Sequence, residues 1–74
     1  MRVLIRENST SRFLAHKERW VPVRDEALDF AGSVIAVDAA ARMGLKDVEI
    51  VLDFGNRDVV LRVPDESDTS LHAG

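Results

Sequence analysis

The sequence predicts a small α+β domain of two layers, with one helix packed on one face of a mostly antiparallel four-stranded sheet. Three observations lead to this class. Segments of alternating polarity near both ends of residues 1–64 indicate strands, apolar residues at helical spacing lie between them, and the element order is β-β-α-β-β. A helix on one face of an antiparallel sheet buries the apolar surface of both. Residues 20–23 are a candidate for one extra short strand.

Two short segments predict the N-terminal strands. Residues 2–6 (RVLIR) and 12–16 (RFLAH) both alternate, and a turn-forming Asn-Ser-Thr-Ser cluster separates them. The side chains expected to face the helix are those of Val3, Ile5, Phe13 and Ala15. Residues 20–23 (WVPV) contain a proline, which has no N–H to donate, so this piece is expected at a sheet edge or a bulge.

The helical pattern lies within residues 25–43. The apolar residues that draw one stripe are Ala27, Phe30, Val34, Val37 and Ala41. Gly32 interrupts this pattern, and Ser33 after it is a candidate N-cap. Two interpretations therefore remain open: one helix with a weak point, or a short turn followed by a helix at 33–43. Gly44 is the expected C′ residue.

Residues 45–64 (LKDVEIVLDFGNRDVVLRVP) predict two strands joined by a turn. A two-residue loop at 55–56 places Glu49 opposite Arg62, which is a favourable cross-strand pair. The unfavourable pair in that register is Asp53 opposite Asp58. A four-residue loop at 55–58 removes this clash but loses the favourable pair, so both loops remain open.

Length and composition restrict the class further. A chain of 74 residues is one domain at most, and a single core of this size supplies about 3–5 kcal/mol of net stability. The absence of cysteine excludes disulfides and thiolate metal sites, which agrees with a reducing compartment. No segment has the pattern of a signal peptide or a membrane span. We expect a cytoplasmic protein with an ordered domain at 1–64 and a disordered polar tail at 65–74.

Charge is distributed unevenly along the chain. Residues 1–24 carry six Lys/Arg and two Glu, a net charge of +4, whereas residues 25–74 carry four Lys/Arg and eleven Asp/Glu, a net charge of −7. One interpretation is that the two parts neutralise each other in the folded domain. The other is a basic surface that binds an anionic partner.

No residue pattern indicates catalysis. His16 and His72 stand far apart in the sequence, no serine has a base and an orienting acid nearby, and the four glycines form no phosphate-binding motif. Glu49 and Asp53 share one strand face, but a flat solvated sheet does not perturb carboxylate pKa values as an active-site cleft does. We therefore predict no catalytic residue, no cofactor, no metal site and no enzymatic activity.

The chain resembles a group of short, uncharacterised bacterial proteins over about residues 3–63. The residues that carry the resemblance are Phe13-Leu14, Trp20-Val21, Glu26-Ala27, Phe30, Ala36–Ala40, Gly44-Leu45, Asp47–Leu52 and Phe54-Gly55. These motifs form the fold and contain no chemistry. The resemblance therefore implies the β-β-α-β-β layout and carries over no function.

The face of the sheet opposite the helix raises the main functional hypothesis. Its predicted apolar residues, each flanked by charged ones, are Leu4, Leu14, Val51 and Val60. A contiguous apolar belt with a charged rim is typical of a small interface. The predicted function is a non-catalytic protein-interaction module whose partner at this open face is a second copy, in a homodimer, or another protein. Lysine at Val51 or Val60 is expected to leave the fold intact and to prevent association. The ordinary alternative is four scattered exposed side chains.

The alternative function is weak binding of single-stranded nucleic acid by the basic N-terminal strands. The residues of this set are Arg2, Arg6, Arg12, Lys17, Arg19 and Trp20. Cationic strands with aromatic residues can stack unpaired bases, and such binding weakens steeply with salt. The sequence leaves the partner, the biological process, the strand order and the oligomeric state open.

Overall fold

The computed structural model describes residues 1–63 and contains one α-helix and a five-stranded antiparallel sheet in that range. The predicted α+β class is confirmed. In chain order the elements are β1 (Arg2–Glu7), β2 (Phe13–Leu14), β3 (Trp20–Val21), α1 (Ser33–Arg42), β4 (Val48–Asp53) and β5 (Asp58–Arg62). The predicted tail at 65–74, which includes His72, lies outside the described residues.

The strand order is β3-β2-β1-β4-β5, so the two longest strands form the centre of the sheet. The candidate extra strand at 20–23 is β3, which contains two residues and pairs with β2 at one edge. The sheet therefore has five strands where we expected four with an optional fifth. Pro22 follows β3 directly, in agreement with the edge position expected for a segment that contains proline.

The β4–β5 hairpin has the two-residue loop. Val51 pairs with Val60, and Glu49 pairs with Arg62 as expected for a loop at 55–56. The same register sets Asp53 opposite Asp58, the unfavourable pair. The four-residue loop is therefore ruled out, and the structure must hold two carboxylates close together at this end of the hairpin.

A short turn followed by a helix is the arrangement that the structure selects between the two helical alternatives. Arg24–Glu26 forms one turn of 3-10 helix, and α1 begins at Ser33 with Gly32 as its N-cap. At the other end Gly44 has φ of 66°, a conformation that glycine adopts without strain. Its N–H donates to Ala41, while the Leu45 N–H donates to Ala40, which is the hydrogen-bond pattern of a Schellman cap.

The face that α1 turns toward the sheet agrees only in part with the expected stripe, of which Val37 is half-buried and packs against the helix-side core. Ala36 and Ala40 are fully buried, whereas Val34 is 80% exposed and Ala41 is also exposed. Two stripes compete on this helix, and the one with the smaller side chains packs on the sheet because alanine allows the helix to approach closely. Two other members of the expected stripe, Ala27 and Phe30, precede α1 and lie outside it.

The segment before α1 forms hydrogen bonds with the beginning of β1, which β2 is too short to reach. The Phe30 N–H donates to the carbonyl of Val3 at 2.9 Å, and the Val3 N–H donates to the Asp29 carboxylate at 3.0 Å. The Ala31 N–H donates to the same carboxylate oxygen at 2.9 Å. These two backbone donors, Val3 first, lower the pKa of Asp29.

The sheet is covered on both faces at its centre. The helix-side cluster of buried residues is Val3, Ile5, Leu14, Ala36, Ala40, Val48 and Ile50. The cluster on the opposite face is Leu4, Phe13, Ala15, Val21 and Val51. We expected Phe13 and Ala15 on the helix side and Leu14 on the other, and this assignment is wrong. Phe13 pairs with Arg6, and cross-strand partners share a face, so Phe13 lies beside Leu4.

The second face is therefore filled from within the chain. Leu4 and Val51 have no exposed area, because Phe13 and Val21 pack over them together with Ala27. The Arg24 guanidinium adds to this cover and stacks over the Phe13 ring, with Cζ 5.4 Å from the ring centroid. The expectation that lysine is tolerated at Val51 no longer holds.

Lysine at Val51 should unfold the domain, whereas lysine at Val60 should leave it folded. Val51→Lys forces an ammonium group into a fully buried site and costs several kcal/mol, as much as the roughly 3–5 kcal/mol that a core of this size supplies. We expect this variant to be unfolded at 25 °C. Val60→Lys places the same group at a side chain that is 42% exposed, and at low protein concentration its melting temperature should stay within a few degrees of wild type. Thermal denaturation followed by circular dichroism distinguishes them, and a folded Val51→Lys variant would contradict the two-faced core.

Candidate functional site: the exposed surface of strand β5

The predicted apolar belt does not form as an exposed surface. Leu4 and Val51 lie on the expected face and are fully buried, while Leu14 is buried on the helix side. Of the four residues, Val60 alone is exposed, at 42%. The sequence contains alternation that is typical of an open face, but a second layer of side chains from the N-terminal third occupies that face.

Two of the cations in the predicted nucleic-acid set are held in ion pairs. Arg2 donates from Nη2 to Asp53 Oδ2 at 2.7 Å and from Nη1 to Asp25 Oδ1 at 3.1 Å. Arg6 donates from Nε to Glu49 Oε1 at 2.7 Å. These pairs join the basic N-terminal third to the acidic remainder, as the neutralisation interpretation expects.

The other four residues of the predicted nucleic-acid set differ in exposure. Trp20 is half-buried and packs against the helix-side core, so its ring is not a free platform for stacking. Arg12, Lys17 and Arg19 are exposed, and within residues 1–63 none of them forms an ion pair. The structure thus leaves three exposed cations and no exposed aromatic partner from the predicted set.

Strand β5 stands apart from the other strands because it is apolar in sequence and exposed in the structure. Four of its five residues are exposed, and Val59 is half-buried. Val60 is 42% and Leu61 38% exposed, on opposite faces of the strand. Its neighbour β4 contains no exposed residue. Neither layer that covers the centre of the sheet extends over this edge.

A shallow groove runs between β5 and α1. The helix packs chiefly on β1 and β4, which leaves the helix-side face of β5 open. The residues that line the groove are Ser33, Val34, Val37, Asp38, Ala41, Leu61 and Arg62. Its floor and walls are mostly apolar, and Asp38 adds a charged residue of α1 to its lining. We call β5 together with this groove the β5 surface.

The outer edge of β5 presents unpaired backbone groups within the described range. The Phe54 N–H donates to the carbonyl of Arg57 at 2.9 Å, which makes these two residues a hydrogen-bonded pair. Antiparallel pairs alternate, so Val59 and Leu61 direct their N–H and C=O groups toward β4. The backbone groups of Asp58, Val60 and Arg62 consequently point away from the sheet, and no strand of residues 1–63 lies beyond them.

Arg24 resolves the carboxylate clash at the start of β5. Its Nη1 lies 3.2 Å from Asp53 Oδ2 and 2.9 Å from Asp58 Oδ1, and Nη2 donates to Asp58 Oδ2 at 3.1 Å. Asp53 is 95% shielded from solvent and also accepts the Gly55 N–H at 2.8 Å. The Gly55 N–H, and next the Arg2 guanidinium, lower the pKa of Asp53 to about 2. Asp58 and Asp53 together raise the pKa of Arg24.

Metal-ligand clusters, membrane-spanning helices and similar proteins were each sought for this chain. Within 1–63 no group of three or more His, Asp or Glu side chains is arranged to hold a metal ion. No helix in that range is long and apolar enough to cross a membrane. Comparison of the chain with protein-family models, with curated proteins and with solved structures finds no match. The resemblance to short bacterial proteins stays a prediction.

The Asp53 ion cluster should make stability depend on acidity. A carboxylate whose pKa is about 2 when folded and near its ordinary 3.8 when unfolded stabilises the fold above about pH 4, and this contribution is lost as pH falls from about 4 to about 2. Asp53→Asn should therefore lower the melting temperature at pH 7 and flatten its decline between pH 4 and 2. Part of the decline should remain in this variant, because the pKa of Asp29 is also lowered in the folded state.

Asp38→Asn is the matched control for this measurement. Asp38 also pairs with an arginine, Arg42, at 2.7 Å, but both side chains are more than half exposed. Such a surface pair contributes about 0.3–0.5 kcal/mol, so the pH profile of this variant should follow that of the wild type. Parallel melting curves for Asp53→Asn and wild type across the acid range would contradict the role assigned to the cluster.

Proposed function

We propose that the chain is a small non-catalytic protein-interaction module that associates with itself through the β5 surface. The observation that carries this proposal is the exposure of two consecutive apolar residues, Val60 and Leu61, on a strand whose outer edge is unpaired within residues 1–63. Exposed apolar strands at a sheet edge are sites where another chain adds, unless they are blunted or covered.

The composition of the β5 surface supports association. Val34, Val60 and Leu61 are three of its large apolar side chains, with exposures from 38% to 80%. Charged residues stand around them, in a pattern of apolar centre and polar rim that interfaces share. The surrounding charged residues are Asp38, Arg57, Asp58 and Arg62.

Self-association also fits the size of the domain. A core of this size supplies only about 3–5 kcal/mol, and cysteine is absent, so no disulfide reinforces it. A partner that binds only the folded chain shifts the folding equilibrium toward the folded state in proportion to its concentration. A dimer would therefore both stabilise the folded domain and cover β5, its most exposed strand.

The nucleic-acid alternative has less support. It retains Arg12, Lys17 and Arg19 as exposed cations, but Arg2 and Arg6 are committed to carboxylates. A salt titration distinguishes the two functions, because phosphate binding weakens steeply with salt whereas apolar association does not.

Solution mass by light scattering over a range of concentrations tests the proposal. We expect the mass of the wild-type protein to rise from one chain toward two, and to depend only weakly on salt. Val60→Lys and Leu61→Lys should each hold the mass at one chain, because each places a charge in the apolar centre of the β5 surface. Their circular dichroism spectra should remain those of the wild type, since both side chains are already partly exposed.

Ile35→Lys is the matched control for these variants. Ile35 is an apolar residue of α1 with 57% exposure, but it is not among the residues that line the groove beside β5. This variant should self-associate like the wild type. A wild-type protein that stays a monomer at every concentration would overturn self-association through this surface.

A further inference from the structure

We propose that the two copies join edge to edge, through two antiparallel β5 strands related by a two-fold axis at Val60. This inference rests on the self-association proposed above and specifies its geometry. Two five-stranded sheets would then form one continuous sheet of ten strands.

The backbone of β5 suits this register. The groups directed away from β4 belong to Asp58, Val60 and Arg62, and they are the groups that a new strand must pair with. With the two-fold axis at Val60, these three residues meet Arg62, Val60 and Asp58 of the partner subunit, all as hydrogen-bonded pairs. Every outward N–H and C=O of the strand then has a partner.

Charge complementarity selects the same register. Asp58 lies opposite Arg62 of the partner subunit, and the pair occurs twice because of the two-fold axis. Directly opposite residues of unlike charge stabilise an antiparallel pair, and like charges destabilise it. Within residues 1–63 the Arg62 side chain forms no ion pair, and its cross-strand neighbour Glu49 pairs with Arg6.

Other registers lose this complementarity. Parallel pairing in register would set Asp58 against Asp58 and Arg62 against Arg62 of the partner subunit. An antiparallel pairing displaced by two residues would set a charged residue against Val60 and leave the ion pairs unmade. The sequence Asp-Val-Val-Leu-Arg therefore favours one self-pairing over the others.

The exposed apolar residues of β5 meet apolar neighbours in the same register. Val60 lies beside Val60 of the partner subunit on the face opposite the helix. On the helix side, Leu61 lies beside Val59 of the partner subunit, next to the groove. Cross-strand neighbours of this kind have Cβ atoms about 4.5–5.5 Å apart, so each covers part of the exposed area of the other.

Asp58 can take part in the new ion pair while it holds Arg24. An ionised carboxylate has about four acceptor positions, and Arg24 uses one on each oxygen. The Asp58 side chain keeps 32% of its surface exposed. Arg24 fixes the orientation of the carboxylate at the strand edge and leaves acceptor positions for Arg62 of the partner subunit.

A charge-swap experiment on the full chain tests the register. Arg62→Asp makes both charged positions of the strand acidic, and Asp58→Arg makes both basic. Each variant alone should weaken self-association at least tenfold, since two attractive pairs become repulsive. An equimolar mixture should form a heterodimer with an affinity near that of the wild type, because every pair is again of opposite charge. Native mass spectrometry identifies the mixed species.

A proline variant tests the backbone pairing independently of charge. The Val60 N–H points away from β4, so Val60→Pro leaves the β4–β5 ladder intact and removes a donor at the two-fold axis. We expect a folded monomer. Val59→Pro is the contrasting control, because it removes a donor to β4 and should destabilise the fold itself.

The outcomes separate this inference from the function on which it rests. A wild-type monomer overturns both. A wild-type dimer that survives Arg62→Asp and Val60→Pro, yet dissociates with Leu61→Lys, overturns the edge pairing and leaves association through the groove. If Val60→Pro or Asp58→Arg fails to fold, Arg62→Asp decides, because Arg62 forms no ion pair within residues 1–63. Its circular dichroism spectrum, compared with that of the wild type, shows whether an aspartate opposite Glu49 leaves the fold intact.

Discussion

The central pair of strands, β1 and β4, is apolar on both faces at its middle, so the rest of the domain must cover both Ile5 with Ile50 and Leu4 with Val51. The helix supplies one cover with alanines, whose small side chains allow close contact. On the opposite face, Phe13 and Val21 of the neighbouring strands β2 and β3 form one cluster with Leu4 and Val51. The segment at 24–27 supplies the cover there, because Ala27 packs against this cluster and Arg24 lies over the Phe13 ring. Within residues 1–63 these two covers reach β1 and β4 but not β5, most of whose residues are exposed.

The cover on the second face is thin, and charged groups hold it in place. Arg24 reaches from the 3-10 turn to Asp53 and Asp58 on the hairpin, and Arg2 reaches to Asp53 from β1. Each contact joins the basic N-terminal third to the acidic later part, so the charge asymmetry of the sequence serves the fold. Asp53 is the residue that these contacts share, and its pKa of about 2 records how strongly its surroundings favour the ionised form.

Features set by neighbours in the sequence could be predicted, and features set by register or packing could not. The cap at Gly44 depends on short-range geometry and is present as predicted. The loop at 55–56, with its pairing of Glu49 and Arg62, is one of the two loops that the sequence left open. The face of Phe13 depends on where the Asn8–Arg12 connection returns to β1, and a change of one residue reverses it. The face of α1 depends on which of two apolar stripes fits the sheet. The role of Arg24 could not be predicted, because only the observed register sets Asp53 opposite Asp58, where a cation is needed.

The belt residues illustrate why alternation alone does not identify an exposed face. Val51 and Val60 are cross-strand partners on the same face, yet one is fully buried and the other is 42% exposed. The difference comes from position in the sheet. Val51 lies on β4 and belongs to the buried cluster that contains Phe13, whereas Val60 lies one strand further out and is not part of that cluster. The apolar surface left open is thus one strand wide and bounded by an unpaired backbone edge. A partner that adds a strand matches both properties at once, whereas a partner that covers only the face would leave the backbone edge to solvent.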